Sequence, residues 1–102
     1  MLTIETTKLE ISKELKNKID IICRFENVKP IYENGSIQNI KNTNIAYVSP
    51  HIITINKIKY LFFNNSNDIF INNYNEKIKI KDLKAHIKQN KWFDKLKFTI
   101  LR

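Results

Sequence analysis

HIITINKIKYLFFNNSNDIFIN, residues 51–72, decides the fold of this 102-residue chain. Folding it about Asn56-Lys57 as a two-residue loop sets Ile55 opposite Ile58, Ile53 opposite Tyr60 and His51 opposite Phe62. Directly opposed residues of an antiparallel pair share a face, so one face is almost wholly apolar. The other face pairs Thr54 with Lys59 and Ile52 with Leu61 and is mixed. This contrast predicts a hairpin with one face on a core. A slip of one residue would turn Lys57 and Lys59 inward, so the pattern specifies its own register. Asn56 tolerates the left-handed conformation of a tight turn, although Lys57 is a poorer second residue than Gly. Residues 64–68 are turn formers, and Ile69, Phe70 and Ile71 supply a third strand.

Upstream, Ser12 is a good N-cap. At about 100° per residue, Ile11, Leu15, Ile19, Ile22 and Phe25 fall within one third of a helix circumference. Asn27 and Pro30 end that helix. A rival start uses Thr7 and Glu10 as a capping box. Residues 2–11 also alternate weakly, with Leu9 and Ile11 on one side, as a short strand would. Asn34-Gly35 is the strongest turn signal in the chain and predicts a hairpin opposing Tyr32 to Ile37. Residues 45–48 form a further short strand, stopped by Ser49-Pro50. Downstream, KIKIK at 77–81 points Ile78 and Ile80 one way and three lysines the other. Asp82 can cap a helix from Leu83 to about Asn90 or Phe93. Leu96, Phe98 and Ile100 alternate with Lys95, Lys97 and Thr99, which predicts a last strand. The expected architecture is a single α+β domain spanning residues 1–102. It has a mostly antiparallel sheet, an N-terminal helix and a second helix near the C-terminus.

Ile, Lys and Asn make up 49 of the 102 residues. AT-rich codons encode all three, which points to an AT-rich bacterium, a virus or another mobile element. Cys23 is the single cysteine, so there is neither a disulfide framework nor a Cys-rich zinc site. MLTIETTKLE lacks the basic-then-apolar plan of a signal peptide. No apolar run approaches the ~18 residues that cross a bilayer. The expectation is a cytoplasmic protein without membrane contact. A single glycine, Gly35, excludes a Gly-rich phosphate loop and a dinucleotide fingerprint.

Charge is unevenly spread. Residues 77–102 hold nine basic residues against two acids, a net of +7, while residues 1–76 hold nine against eight, a net of +1. On a helix from Leu83, the side chains of Lys84, Lys88 and Lys91 share a face, with Trp92 at its edge and Lys95 extending it. Lysines can neutralise phosphates and an exposed Trp can stack on a base. The competing reading is a solvated helix face with Trp92 and Phe93 in the core. No Arg lies in the stripe, so contact would be with backbone rather than base edges. The candidate binding residues are Lys77, Lys79, Lys81, Lys84, Lys88, Lys91, Trp92, Lys95 and Lys97.

TTKLEISKELKNKIDII, residues 6–22, resembles the opening strand and helix of the ribbon-helix-helix DNA-binding family. That family needs a second long helix soon after the first. Pro30, Asn34-Gly35 and Asn42-Thr43-Asn44 leave no room for one. Asp68 with Asp82-Leu83-Lys84 resembles the carboxylate and lysine pattern of metal-dependent nucleases, in which the carboxylates hold a cation that activates water. Asp82 has a competing purpose as a helix cap. His51 and His86 each fall on an apolar face and read as structural rather than as metal ligands. Cys23, beside the helix stripe, reads as packing. No catalytic, cofactor or metal site is expected.

Two functions from different classes remain. One is a non-enzymatic module that binds nucleic acid or a nucleoprotein through its basic C-terminal face. The other is an inhibitor of a host defence complex, anti-CRISPR-like, acting by protein–protein contact. Exposed sheet edges could pair with a partner or with a second copy, giving a homodimer.

Overall fold

Asn56 and Lys57 both adopt positive φ, 52° and 71°. That is the type I′ geometry whose twist matches the strands it joins. The strands are β5, His51–Ile55, and β6, Ile58–Phe62. Their register is the one the apolar alternation demands, with Ile55 opposite Ile58, Ile53 opposite Tyr60 and His51 opposite Phe62. This computed structural model describes residues 3–71 and 74–100, with side chains through Lys91. Asn72, at the end of the opening stretch, and Arg102 lie outside the described residues.

The chain runs β1 (Ile4–Lys8), α1 (Lys13–Phe25), β2 (Pro30–Glu33), β3 (Ser36–Ile40), β4 (Ala46–Ser49), then β5 and β6. It continues through β7 (Asp68–Ile71), β8 (Glu76–Lys79), a 3-10 turn (Ile80–Asp82) and α2 (Leu83–Ile100). All strand pairs are antiparallel. One sheet has the order β2-β5-β6-β7-β8 and the other β1-β3-β4. The described residues thus form a small α+β domain with two helices and two sheets.

Both helices cover one face of the larger sheet. Leu15, Ile19 and Cys23 of α1 and Leu83 and Ile87 of α2 join Ile53, Ile55, Tyr60, Phe62, Ile69 and Ile71 in one buried cluster. Ile11, Ile22 and Ile58 pack on it partly buried. Ser12 caps α1, its hydroxyl accepting from the Leu15 N–H at 3.2 Å. Asn27, at φ 58°, closes the other end, and the Val28 N–H donates to the Cys23 carbonyl at 2.9 Å. This is the left-handed cap that Asn tolerates. Phe25 departs from the expected stripe and is 74 % exposed. The buried row runs Leu15, Ile19, Cys23, so the stripe is rotated toward Cys23 and leaves Phe25 outside its margin.

Asn34-Gly35 is not the predicted turn. β2 and β3 run on from one another along β5 and β4 in one unbroken register. Pro30 opposes Ile55, Glu33 opposes Ile52, Ser36 opposes Ser49 and Asn39 opposes Ala46. Tyr32 and Ile37 therefore lie on the same arm of a long hairpin, bent where Gly35 meets Pro50. Its real turn follows Ile40: Asn42 takes φ 65°, and the Thr43 hydroxyl donates to the Ile40 carbonyl and accepts from the Ile45 N–H. Gly35 is needed for proximity. A Cβ there would lie 2.2 Å from the Ser49 oxygen and 2.9 Å from the Pro50 oxygen.

The outer half of this hairpin, with β1 added, projects as an arm from the helix-backed body. Every residue of β1 and β4 is exposed. The molecule is accordingly long, 58 × 29 × 19 Å. Residues 30–49 form three strands, so the second helix of the ribbon-helix-helix pattern is absent, and β1 pairs with β3 of its own chain.

The predicted strand at residues 96–100 is also overturned, because α2 continues through Ile100. No Gly or Pro interrupts the sequence from Leu83 onward. Leu96 and Ile100, four residues apart, suit a helix face as well as a strand.

Candidate nucleic-acid interface

β8 is an edge strand, paired among the described residues with β7 alone. Ile78 opposes Ile69 and points to the core, so Lys77 and Lys79 fall on the far face, beside Phe70 and Asp68. Lys79 donates to the Asp68 carboxylate at 2.5 Å. This bond holds Asp68 below the usual carboxylate range. Lys81 is exposed on the 3-10 turn, and Lys84 and Lys88 are exposed on α2. Because Leu83 and Ile87 of α2 pack on the inner face of the sheet, the candidate lysines do not share one surface. Lys77 and Lys79 lie on one side of the sheet and the lysines of α2 on the other, with Lys81 at the crossing.

Two of the α2 lysines are engaged with α1. The Lys84 ammonium sits 4.0 Å from the centre of the Phe25 ring. This is a cation–π contact with an otherwise exposed ring. Lys91 donates to the main-chain carbonyl of Glu26 at 2.6 Å. It satisfies an end carbonyl of α1 with a charge that suits the helix dipole. Lys88 lies between them on the same face. Trp92, Lys95 and Lys97 belong to α2, but their side chains lie outside those described.

Two polar clusters escaped the sequence reading. In the first, His51 is 2 % exposed and accepts at Nδ1 from the Gly35 N–H, at 2.9 Å. Its Nε2–H therefore donates to the Asn64 side-chain oxygen, also at 2.9 Å. The same oxygen accepts from the Ser12 N–H, and the Asn64 amide donates to the Glu10 carbonyl at 3.0 Å. Burial lowers the His51 pKa below its ordinary value. One neutral imidazole thus ties the bend of the long hairpin to the start of α1. Beside it, Leu9, Ile37, Val48 and Phe62 line an open cleft of about 380 Å³ between arm and body.

In the second cluster, the buried Tyr60 hydroxyl bonds His86 Nδ1 at 2.9 Å, and the Asn90 amide lies 3.2 Å from the same nitrogen. Glu76 approaches His86 Nε2 at 3.8 Å. Burial pushes the Tyr60 phenol up to about 12. That suits a hydroxyl which donates and stays protonated. His86 and Asn90, four residues apart on the apolar side of α2, were a legible pair. Tyr60 as their partner depended on how the helix crosses the sheet. Cys23 is buried, and burial followed by the nearby Asp20 charge raises its thiol to about 11. A thiol so protonated is a poor nucleophile.

Asp68 and Asp82, the carboxylates of the nuclease-like pattern, sit in different settings, one bound by Lys79 and the other exposed in the 3-10 turn. Among the described residues, no three His, Cys, Asp or Glu side chains come together as a metal-holding group. No described helix is long and apolar enough to cross a membrane. No protein-family model, curated protein or solved structure matches the chain.

Proposed function

We propose that this protein is a non-enzymatic binding module that holds a nucleic-acid backbone, or the nucleic acid of a nucleoprotein, at its basic C-terminal end. The observation that carries the reading is uncompensated charge. Lys81, Lys84 and Lys88 are exposed in succession along the 3-10 turn and α2, and none has a carboxylate within ion-pair distance among the described residues. Ammonium groups displayed in this way bind phosphates as point charges and release counterions.

The test is a titration of the protein with duplex and single-stranded DNA at several salt concentrations. Three lysine–phosphate contacts give a log–log salt slope of about −2.7 on duplex. Replacing Lys81, Lys84 and Lys88 together by Gln is expected to flatten that slope and weaken all sequences alike. Lys91→Gln is expected to lower stability instead, because it uncovers the Glu26 carbonyl. Binding that ignores salt, or that survives the triple change, would sink the reading.

A protein-binding inhibitor of a host defence complex is the second reading, and one observation favours it. Ile21 and Phe25 are exposed one turn apart on α1 and, with Arg24, line an open apolar hollow of about 450 Å³. Apolar side chains beside a cation are a common anchor of protein interfaces.

A further inference from the structure

We propose that the free edge of β4 pairs antiparallel with β4 of a second copy about a two-fold axis through Tyr47. The pairing joins two arms into one six-stranded sheet and leaves the two basic ends apart.

β4 already directs part of its main chain at β3. The Ile40 N–H donates to the Ile45 carbonyl. Bonded pairs alternate along an antiparallel ladder, so Tyr47 and Ser49 also direct their main-chain groups at β3, facing Gln38 and Ser36. The N–H and C=O of Ala46 and Val48 then point away from the sheet. β4 lies at the edge, so among the described residues these groups have no strand partner. An exposed, unpaired row of this kind is a template for strand addition.

Charge selects the occupant. Residues 42–56 contain no Asp, Glu, Lys or Arg, the longest such stretch in a chain of net charge +8. The other edges differ: β1 carries Glu5 and Lys8, β8 carries Glu76, Lys77 and Lys79, and β2 carries Pro30 and Glu33. Charge and Pro are the usual devices that keep edges single. β4 has neither within its span, and Pro50 falls just beyond it. Two copies of a +8 protein repel almost everywhere, but two neutral β4 edges do not. An acidic or nucleic-acid partner, in contrast, finds no opposite charge here.

The register follows from the outward groups. Ala46 and Val48 of one copy bond Val48 and Ala46 of the other, and Tyr47 faces Tyr47 across the axis at a non-bonded position. Facing residues there have Cα atoms about 4.5 Å apart. Tyr47, Ile45 and Val48 are 60 %, 49 % and 51 % exposed, and the new contacts cover them. Such short strands bury less than the roughly 1,200 Å² of a standard stable interface. The dimer is therefore reversible and depends on concentration.

Sedimentation of the full chain over a hundredfold concentration range is the first measurement, with monomer passing to dimer as the expected result. Tyr47→Lys sets like charges opposite each other and is expected to keep the protein monomeric throughout; Tyr47 is exposed, so folding should survive, and circular dichroism checks it. The decisive arm is oxidation of Tyr47→Cys and Ala46→Cys. Tyr47→Cys is expected to cross-link to a covalent dimer, since its Cα separation suits a disulfide. Ala46→Cys, facing Val48 of the other copy, is expected to cross-link at least tenfold more slowly. A monomer at every concentration, association beyond dimer, or equal cross-linking at both positions would overturn the proposal. So would a heterologous protein binding this edge while the free chain stays monomeric.

Discussion

A neutral imidazole at position 51 is required by both of its neighbours. Gly35 offers it an N–H, and Asn64 offers it an oxygen that Ser12 also uses. Protonation would set an N–H at Nδ1 against the Gly35 N–H and place a charge in a buried site. The folded-state pKa is depressed, so in the window below the unfolded value of about 6.5 the unfolded chain binds more protons. The stability contributed by neutral His51 is therefore complete above that value and is lost as pH falls toward the folded pKa. Urea midpoints are expected to stay level from pH 8 to 7 and to fall from pH 6.5 to 5.5. His51→Gln should begin less stable, by about 1–3 kcal/mol for the buried partners it strands. It should also show a shallower fall over the same range. An equal slope in both proteins would remove His51 as the cause. The sequence placed His51 beside Phe62 on the core face, and it sits there. Its partner Asn64 was read only as a turn former, because a loop residue's side-chain target depends on contacts distant in the chain.

Among the elements, the bend of the long hairpin rests on Gly35. Gly35→Ala would drive a Cβ into backbone oxygen rather than into a side chain that can move. The expected loss is about 1–3 kcal/mol, read as a lower urea midpoint with an unchanged slope. A midpoint within error of the parent would mean that the two strands separate at little cost. The same site shows the limit of legibility. The β5–β6 register was readable because a one-residue slip misplaces a whole apolar face. The Asn34-Gly35 dipeptide carried no such check. Gly serves both a tight turn and a close approach, and only the strand lying across it decides which. At the C-terminal end, alternation over five residues could not outweigh an uninterrupted helix. The basic cluster was legible as composition, but its division across two sides of the sheet required knowing that β8 is an edge.

For the molecule as a whole, the body keeps a buried core while β1 and β4 bury no side chain fully. Local opening free energy follows buried contact, so the arm should open well below the global unfolding free energy. In hydrogen exchange at low protein concentration, the bonded amides of Gln38 and Tyr47 are expected to exchange faster than those of Ile53 and Tyr60. Equal protection would mean that arm and body open together. The unbroken register from Pro30 to Ile55 also bears on how quickly the chain finds its shape. In the unfolded chain, Asn34-Gly35 favours a small local hairpin between Tyr32 and Ile37. The native strands hold those two residues end to end, so the two pairings exclude each other. A local hairpin of that kind would be a decoy that has to unzip before the longer one can close, a conflict between near and distant preference. Asn34→Val weakens the decoy at an exposed position and is expected to speed refolding while leaving the unfolding rate unchanged. Stopped-flow rates that stay the same would show that the decoy never forms. If refolding quickens, a residue pair conspicuous as a turn in the sequence has two opposed effects: it permits the close approach at the bend of the folded protein, and it delays the chain in reaching it.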